Sequence, residues 1–422
     1  MNIQKIGVFL LALLLAGMAM VPMVSATELD KYSDEKSAID AVSIDVKTVQ
    51  LPTLQSERNA VTVEVSDEFI SDESIQSSQI SENLKSSNIL SSSKIPFGAI
   101  VKHSKNGITT VYDSTGKILF SADDAKAPKI DTPNGLMPAT FVHEVPDKSV
   151  IDDEKNIVHV FYQKQRILTI IDENKKSEVK SSAALLTSNY PAPWIEGAQT
   201  SVLANVGHFL ARWTVPARPL DYHPYPPSGD VTQGSKITIW NGLQKSDGTK
   251  LLQPVLEWYI KDKSSDPNPS SPAWSMATWW AVSGSPGIHS TRRYIPTTGD
   301  QMQGNMYYYN GYWNGAISDL TQGGSSTLFL TSSQSSALSY QNLQPILVLE
   351  GWNPQYLPGL NSRYICGDVT FNSFTIENTN GANVRPSTIT GFVNNQYWSP
   401  FTYGLSVNTA SWPTSVTLNT EN

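Results

Sequence analysis

The chain has 422 residues, a net charge of −8 and a pI near 5.3, with a single cysteine, Cys366. That length allows two or three domains with cores of their own. The acidic balance argues against nucleic acid as a partner, since no basic patch is present to displace counterions; one cysteine excludes an intrachain disulfide and a Cys-rich zinc site.

Residues 1–26 read as a secretory signal: Lys5 is the positive end, residues 6–24 are apolar, and Val24-Ser25-Ala26 is a small-residue cleavage site. Pro22 and the small residues after it favour cleavage over a membrane anchor, and no later segment is long and apolar enough to span a bilayer. The expected product is extracellular, with no stable membrane insertion after signal removal. Residues 27–94 are acidic, Ser-rich and poor in aromatics, the composition of a flexible segment.

Residues 95–180 carry strand signals and are expected to form a small β-rich domain. Thr109-Thr110-Val111-Tyr112 and Lys117-Ile118-Leu119-Phe120 flank the turn sequence Asp113-Ser114-Thr115-Gly116. Residues 157–162 and 166–170 predict a second hairpin, and residues 175–188 a linker. Composition then changes. All eleven Trp lie between Trp194 and Trp412. From Thr187 onward there are 11 basic and 13 acidic residues, a net of −2, which leaves −6 for the preceding part. The chain divides into a charged leader (27–186) and a Trp-rich body (187–422).

The body is rich in Ser, Thr, Asn, Gly, Trp and Tyr, with short β-branched runs between turn signals. Lys236-Ile237-Thr238-Ile239-Trp240, Ser326-Thr327-Leu328-Phe329-Leu330 and Asp368-Val369-Thr370-Phe371 are examples. No convincing amphipathic helix is present. Regularly spaced short strands predict an all-β fold, an antiparallel β-sandwich. Prolines are expected at strand starts, where a missing N–H is harmless.

Familiar catalytic motifs are absent. Six His are scattered, none in H-E-x-x-H spacing, and there is no G-x-S-x-G elbow or P-loop. Gly284-Ser285-Pro286-Gly287 reads as a turn, and His289, beside Arg292 and Arg293, as a surface residue. Two near-repeats remain. Leu252-Gln253-Pro254-Val255-Leu256-Glu257-Trp258 returns as Leu343-Gln344-Pro345-Ile346-Leu347-Val348-Leu349-Glu350-Gly351-Trp352. Strand alternation puts Gln253, Val255, Glu257 and Tyr259 on one face and Leu252, Leu256 and Trp258 on the other. It likewise puts Val348, Glu350 and Trp352 together, with Leu347 and Leu349 behind. A carboxyl among aromatic neighbours is partly desolvated, which raises its pKa and suits it to proton transfer. A Gln amide offers two N–H donors for a developing oxyanion. The plainer reading of each Glu is a solvated or hydrogen-bonded strand residue.

Arg212-Trp213-Thr214-Val215-Pro216, Trp240-Asn241-Gly242-Leu243-Gln244, Leu251-Leu252-Gln253-Pro254-Val255-Leu256-Glu257, Leu349-Glu350-Gly351-Trp352 and Cys366-Gly367-Asp368-Val369-Thr370-Phe371 resemble, in this order, the successive motifs of the glutamic peptidases (eqolisins). The resemblance spans roughly residues 190–410. It implies a concanavalin-like sandwich acting on polypeptides at acid pH, without metal or cofactor, from a concave sheet. It also implies an inhibitory propeptide (27–186). Carried over, Gln253 and Glu350 are the catalytic dyad and Trp240 an active-site Trp; Glu257 and Trp352 are the other candidate substrate-binding residues. Gln244, Pro254 and Gly351 depart from the pattern, and no Glu stands near Trp274–Trp280 where the family has one. A monomer is expected.

A carbohydrate-binding or glycan-hydrolysing sandwich, or an inactive cell-surface binding domain, shares the fold class. The neighbour of Glu350 separates the readings. Gln253 there favours the peptidase, Glu257 alone a glycosidase, and neither a binding module.

Overall fold

The computed structural model describes residues 90–91, 95–127, 129–132, 135–154, 156–174, 194–219, 236–259, 273–291, 293–295, 297–331, 338–352, 365–394 and 404–420. The expected signal, almost all of the acidic segment to residue 94, and the linker at 175–188 lie outside the described residues.

In the leader the strands are β1 (Leu90–Ser91), β2 (Ala99–His103), β3 (Ile108–Tyr112), β4 (Ile118–Asp123), β5 (Lys129–Thr132), β6 (Gly135–Pro138), β7 (Val142–Val145), β8 (Ser149–Glu154), β9 (Ile157–Tyr162) and β10 (Gln165–Asp172). The body begins with β11 (Trp194–Gln199), β12 (His208–Thr214), β13 (Lys236–Lys245), β14 (Lys250–Tyr259), β15 (Ala273–Val282), β16 (Gly287–Ser290) and β17 (Arg293–Ile295). It continues with β18 (Gln301–Tyr309), β19 (Tyr312–Asp319), β20 (Ser325–Thr331), β21 (Leu343–Trp352), β22 (Val369–Glu377), β23 (Thr390–Val393), β24 (Ser406–Asn408) and β25 (Ser415–Asn419). No α-helix occurs among the described residues.

Local chemistry explains the hairpins. Asp113 Oδ1 accepts the backbone N–H groups of Thr115 (2.9 Å) and Lys117 (3.0 Å), and Gly116 takes a φ of 88°, so β3 turns tightly into β4. The expected 157–162 and 166–170 hairpin is β9–β10, antiparallel with one register shift.

Two large sheets result. The first runs β1-β7-β16-β15-β14-β13-β21-β11-β23, with β17 also on β15; the second runs β24-β25-β22-β12-β18-β19-β20-β8-β9-β10-β2-β3-β4. Their inner faces share one core, which includes Trp213, Leu252, Leu256, Trp280, Trp313, Leu349 and Phe371 from the body and Val101, Val145, Ile151 and Leu168 from the leader. The all-β sandwich expected from the sequence is present.

Two features differ from expectation. Apart from the two-stranded β5–β6 sheet, the leader strands do not build a sheet of their own. β7 pairs parallel with β16, and β8 pairs parallel with β20, so the leader extends both sheets of the body. Every pair within the body is antiparallel, and parallel pairs occur only at the two junctions and, in the leader, at β1–β7 and β2–β10. The body's outermost strands carry backbone groups that need partners, and the leader supplies them; periodicity identifies a strand but not its neighbour. The second difference is proline. Pro254 and Pro345 stand inside β14 and β21 rather than at their starts. The β13–β14 ladder omits the two residue pairs at Pro254 and Gln253 and resumes in the same register, so the lost donor costs a local gap and not a slip.

Candidate active site

The face of the first sheet that points away from the shared core has its own apolar cluster: Val142, Trp194, Trp240, Leu251, Val255, Ala277, Trp279, Ala281, Ile346, Val348 and Phe392. Alternation on β14 and β21 sends Leu252, Leu256, Leu347 and Leu349 to the inter-sheet core and leaves Gln253, Glu257 and Glu350 on this outer cluster's side. All three are buried, with at most 1% of their surface exposed.

Register fixes who meets whom. Thr238 on β13 is opposite Glu350 on β21 and opposite Glu257 on β14, and Glu257 is opposite Ser275 on β15. Glu350, Thr238, Glu257 and Ser275 therefore form one row across four strands. The carboxyl-bearing residues are two strands apart, a Cα separation of about 10 Å with both side chains on the same side. Gln253 stands four residues from Glu257 along β14, roughly 13 Å along the strand. The structure thus brings Glu257 to Glu350 and does not bring Gln253 to either. The sequence distinguishes these residues only by position in a strand, and nothing in it fixes which of the two faces Glu350 across β13.

Each carboxyl is held by an indole. Trp240 Nε1 donates to Glu350 Oε2 at 2.9 Å, and Thr238 Oγ1 donates to the same oxygen at 2.9 Å. Trp279 Nε1 donates to Glu257 Oε1 at 2.8 Å. Trp194, opposite Glu350 on β11, meets Trp240 edge-on at 5.4 Å and stacks on Phe392 at 6.0 Å. These contacts build a rigid aromatic floor around both acids. Hydrogen bonds from buried N–H donors favour the ionised form of the acid they reach, whereas the apolar surroundings favour the neutral form. The buried hydroxyl of Ser275 has no hydrogen-bond partner and lies in the same row.

Trp240, an active-site Trp by the resemblance alone, lies against Glu350. Trp352 pairs with Lys236 at the end of β21, and its side chain lies outside the described residues, as does that of Tyr259. Thr238, Trp279 and Trp194 were not anticipated from the sequence; the Trp274–Trp280 stretch contributes an indole to Glu257 rather than an acid. His289 requires correction. It is fully buried and not a surface residue, with its ring 4.4 Å from that of Trp279 and Nδ1 2.9 Å from the Ser290 carbonyl. Pairing of β16 with the leader strand β7 covers it. Gly284 and Ser285 lie in a turn closed by the Ser285 N–H donating to the Val282 carbonyl, and Gly287 begins β16.

Glu196 was also missed. A register shift between Trp194 and Glu196 places Glu196 opposite Leu349, a residue of the inter-sheet core. It is fully buried, and neither carboxyl oxygen has a hydrogen-bond partner. Burial, with a smaller contribution from Asp368, pushes its pKa up to about 9. It is a neutral acid in the core at neutral pH. Cys366 is buried nearby, its thiol raised first by burial and then by Glu196. No cluster of three or more metal-ligating side chains occurs among the described residues.

No family model and no curated protein matches the chain. Among solved structures, it is similar to a Scytalido-glutamic peptidase bound to a peptide-based transition state analog, at 15% identity, covering 54% of this chain and 97% of that one, with a TM-score of 0.33. A second is SCP-B, a member of the eqolisin family in complex with the tripeptide Ala-Ile-His, at 16% identity, 54% and 97% coverage and a TM-score of 0.32. A third is the CBM2 module of the evolved Dit of Lactobacillus casei BL23 phage J-1, at 10% identity, 50% and 74% coverage and a TM-score of 0.23. Likenesses this distant carry no inference.

Proposed function

We propose that this chain is a latent, secreted hydrolase of polypeptides that works at acid pH through Glu257 and Glu350. The observation that carries the reading is the single row in which two buried glutamates flank Thr238, each gripped by an indole N–H. The scheme requires one acid charged and the other neutral at acid pH. The two donors on Glu350 Oε2 favour its ionised form and suit it to the role of base. Glu350 takes a proton from water as its oxygen attacks the scissile carbonyl carbon, and Glu257 gives its proton to the carbonyl oxygen. The tetrahedral intermediate then returns that proton to Glu257 as the carbonyl re-forms, the C–N bond breaks, and Glu350 hands its proton to the leaving amine.

Latency supports a peptide substrate. Val142 of the leader joins the apolar cluster that holds Trp240 and Trp279, and both acids are covered in this form. A second reading is hydrolysis of glycans, and the neighbour criterion drawn from the sequence favours it, because Glu257 and not Gln253 lies across Thr238 from Glu350 and two carboxylates are the equipment of glycosidases. The deciding test is an acid incubation from pH 3 to 7 with denatured protein and, separately, with polysaccharides. Peptide products support the proposal; sugar release without peptide cleavage overturns it.

Two further expectations follow from the scheme. Chelators, serine-directed fluorophosphonates and thiol reagents should leave the rate unchanged, the last because the Cys366 thiol is fully buried. Inactivation by a chelator would show that the scheme lacks a metal. Thr238→Val removes one donor from Glu350 while preserving shape, and a hydrogen bond to a charged group contributes about 1.5–3 kcal/mol. Turnover should fall by about ten- to a hundredfold with KM little changed; a wild-type rate would remove Thr238 from the site.

A further inference from the structure

The leader and body share more than a covalent link. Across the β8–β20 junction, Thr331 Oγ1 donates to Asp152 Oδ1 at 2.5 Å and the Thr327 N–H to Asp147 Oδ1 at 2.6 Å; across the β7–β16 junction, Thr291 donates through both N and Oγ1 to the Val145 carbonyl. A cut in the linker breaks none of these. Behind β7, the two sheets meet at a pair of histidines. His143 belongs to the first sheet and His103, on β2, to the second; their Nε2 atoms are 3.3 Å apart and both side chains are fully buried. His103 Nδ1 lies 2.8 Å from Thr109 Oγ1, which donates to Asp124, and its ring rests on Phe141 at 4.1 Å. His143 Nδ1 has no hydrogen-bond partner.

We propose that the leader is a strand-donating partner which stays bound to the body after the linker is cut, and that acid releases it by opening the leader at its internal His103–His143 contact, which ties β7, the strand donated to β16, to β2 in the other sheet. An Nε2–Nε2 contact holds one proton: one ring donates and the other accepts. When both rings are protonated, two N–H groups and two positive charges face each other in a dry layer.

Few groups nearby offset that charge. His143 is opposite Ile288 on β16 and Leu90 on β1, both apolar. His103 is opposite Thr109 on β3 and Asp172 on β10. Asp172 receives the N–H of Asn174. Asp124 is raised mainly by burial and so loses its own charge on acidification. Lys102 and Glu173 pair with each other at 3.0 Å, and Glu144 is opposite His289. Burial holds His103 well below the usual imidazole range, with His143 adding to it, and holds His143 at about 3. A depressed imidazole stabilises the bound state above the free value near 6.5 and withdraws that stability as pH falls. Release that opens the leader frees both rings, and each histidine then favours it by up to about tenfold per pH unit below 6.5.

The test uses the full chain in the Glu350→Gln background, so hydrolysis plays no part, with a specific protease site placed in the linker. After cutting, native mass spectrometry and size exclusion at pH 7.5 should find the two fragments together. Separation at pH 7.5 overturns the strand-donor proposal. Lowering the pH should separate them, and His103→Gln and His143→Gln, checked for folding by circular dichroism, should each flatten the pH dependence of the dissociation constant by about tenfold per unit. A dependence unchanged in both folded variants overturns the histidine gate. If one variant does not fold, the other decides.

Discussion

Glu350→Gln should abolish turnover while leaving the fold intact. The amide keeps the size of the carboxyl and one acceptor oxygen for Thr238 and Trp240 but cannot take a proton from water. Positioned acid–base groups contribute about a hundred- to ten-thousandfold each, so loss to background is the expected result. Glu257→Gln should fall by a comparable factor, because its carboxyl supplies the proton for the carbonyl oxygen. Gln253→Ala provides the contrast. Its side chain lies roughly 13 Å along the strand from the Glu257 row, and truncation should cost less than about tenfold, mostly in KM. Rates on peptide substrates at acid pH, with circular dichroism on every variant, give the order. If Gln253→Ala is dead and Glu257→Gln active, the Gln/Glu dyad implied by the family resemblance is correct and the two-glutamate scheme is wrong.

Glu196→Gln should stabilise the protein at mildly alkaline pH. The sign follows from the raised pKa of about 9. A raised carboxyl contributes stability fully below its unfolded value, and that stability drains away as pH rises towards 9. The slope approaches 1.4 kcal/mol per pH unit. Between pH 7 and 9 the buried histidines are almost wholly neutral whether folded or unfolded, and the buried Cys366 thiol, also raised, adds a smaller loss only as pH nears 9. Wild-type unfolding free energy should then drop by about 2–3 kcal/mol over that interval, and Glu196→Gln should flatten it. Denaturant titrations at pH 7, 8 and 9 measure both. Equal slopes would mean that Glu196 finds a partner in solution. Acid therefore strengthens the body through Glu196 in the same conditions that loosen the leader through its histidines.

The sandwich was legible because its strands alternate so regularly. Leu252, Leu256, Leu347 and Leu349 could be assigned to the core from period two alone, and the structure puts them there. Trp240 was singled out by the resemblance alone, and its bond to Glu350 depends on register. What could not be read was register. Gln253 and Glu257 share a strand and a face, and only the pairing of Thr238 with both Glu257 and Glu350 determines which one faces Glu350. Glu196 was hidden by a β-bulge, which turns its side chain to the side that simple alternation from Trp194 does not reveal. His289 was misplaced because burial at a sheet edge depends on what covers the edge, here a leader strand about 140 residues away in sequence.

The junctions between leader and body are parallel, and they join residues far apart in the chain: Val145 meets Thr291 across 146 positions, and Asp147 meets Thr327 across 180. Contacts of that separation form late and slowly, because a long loop must close before they contribute anything. A body that has lost the leader has also lost the template for its two outer edges, so it is not expected to find its way back once opened. Its working life would then be set by how slowly it unfolds and not by an equilibrium it can revisit.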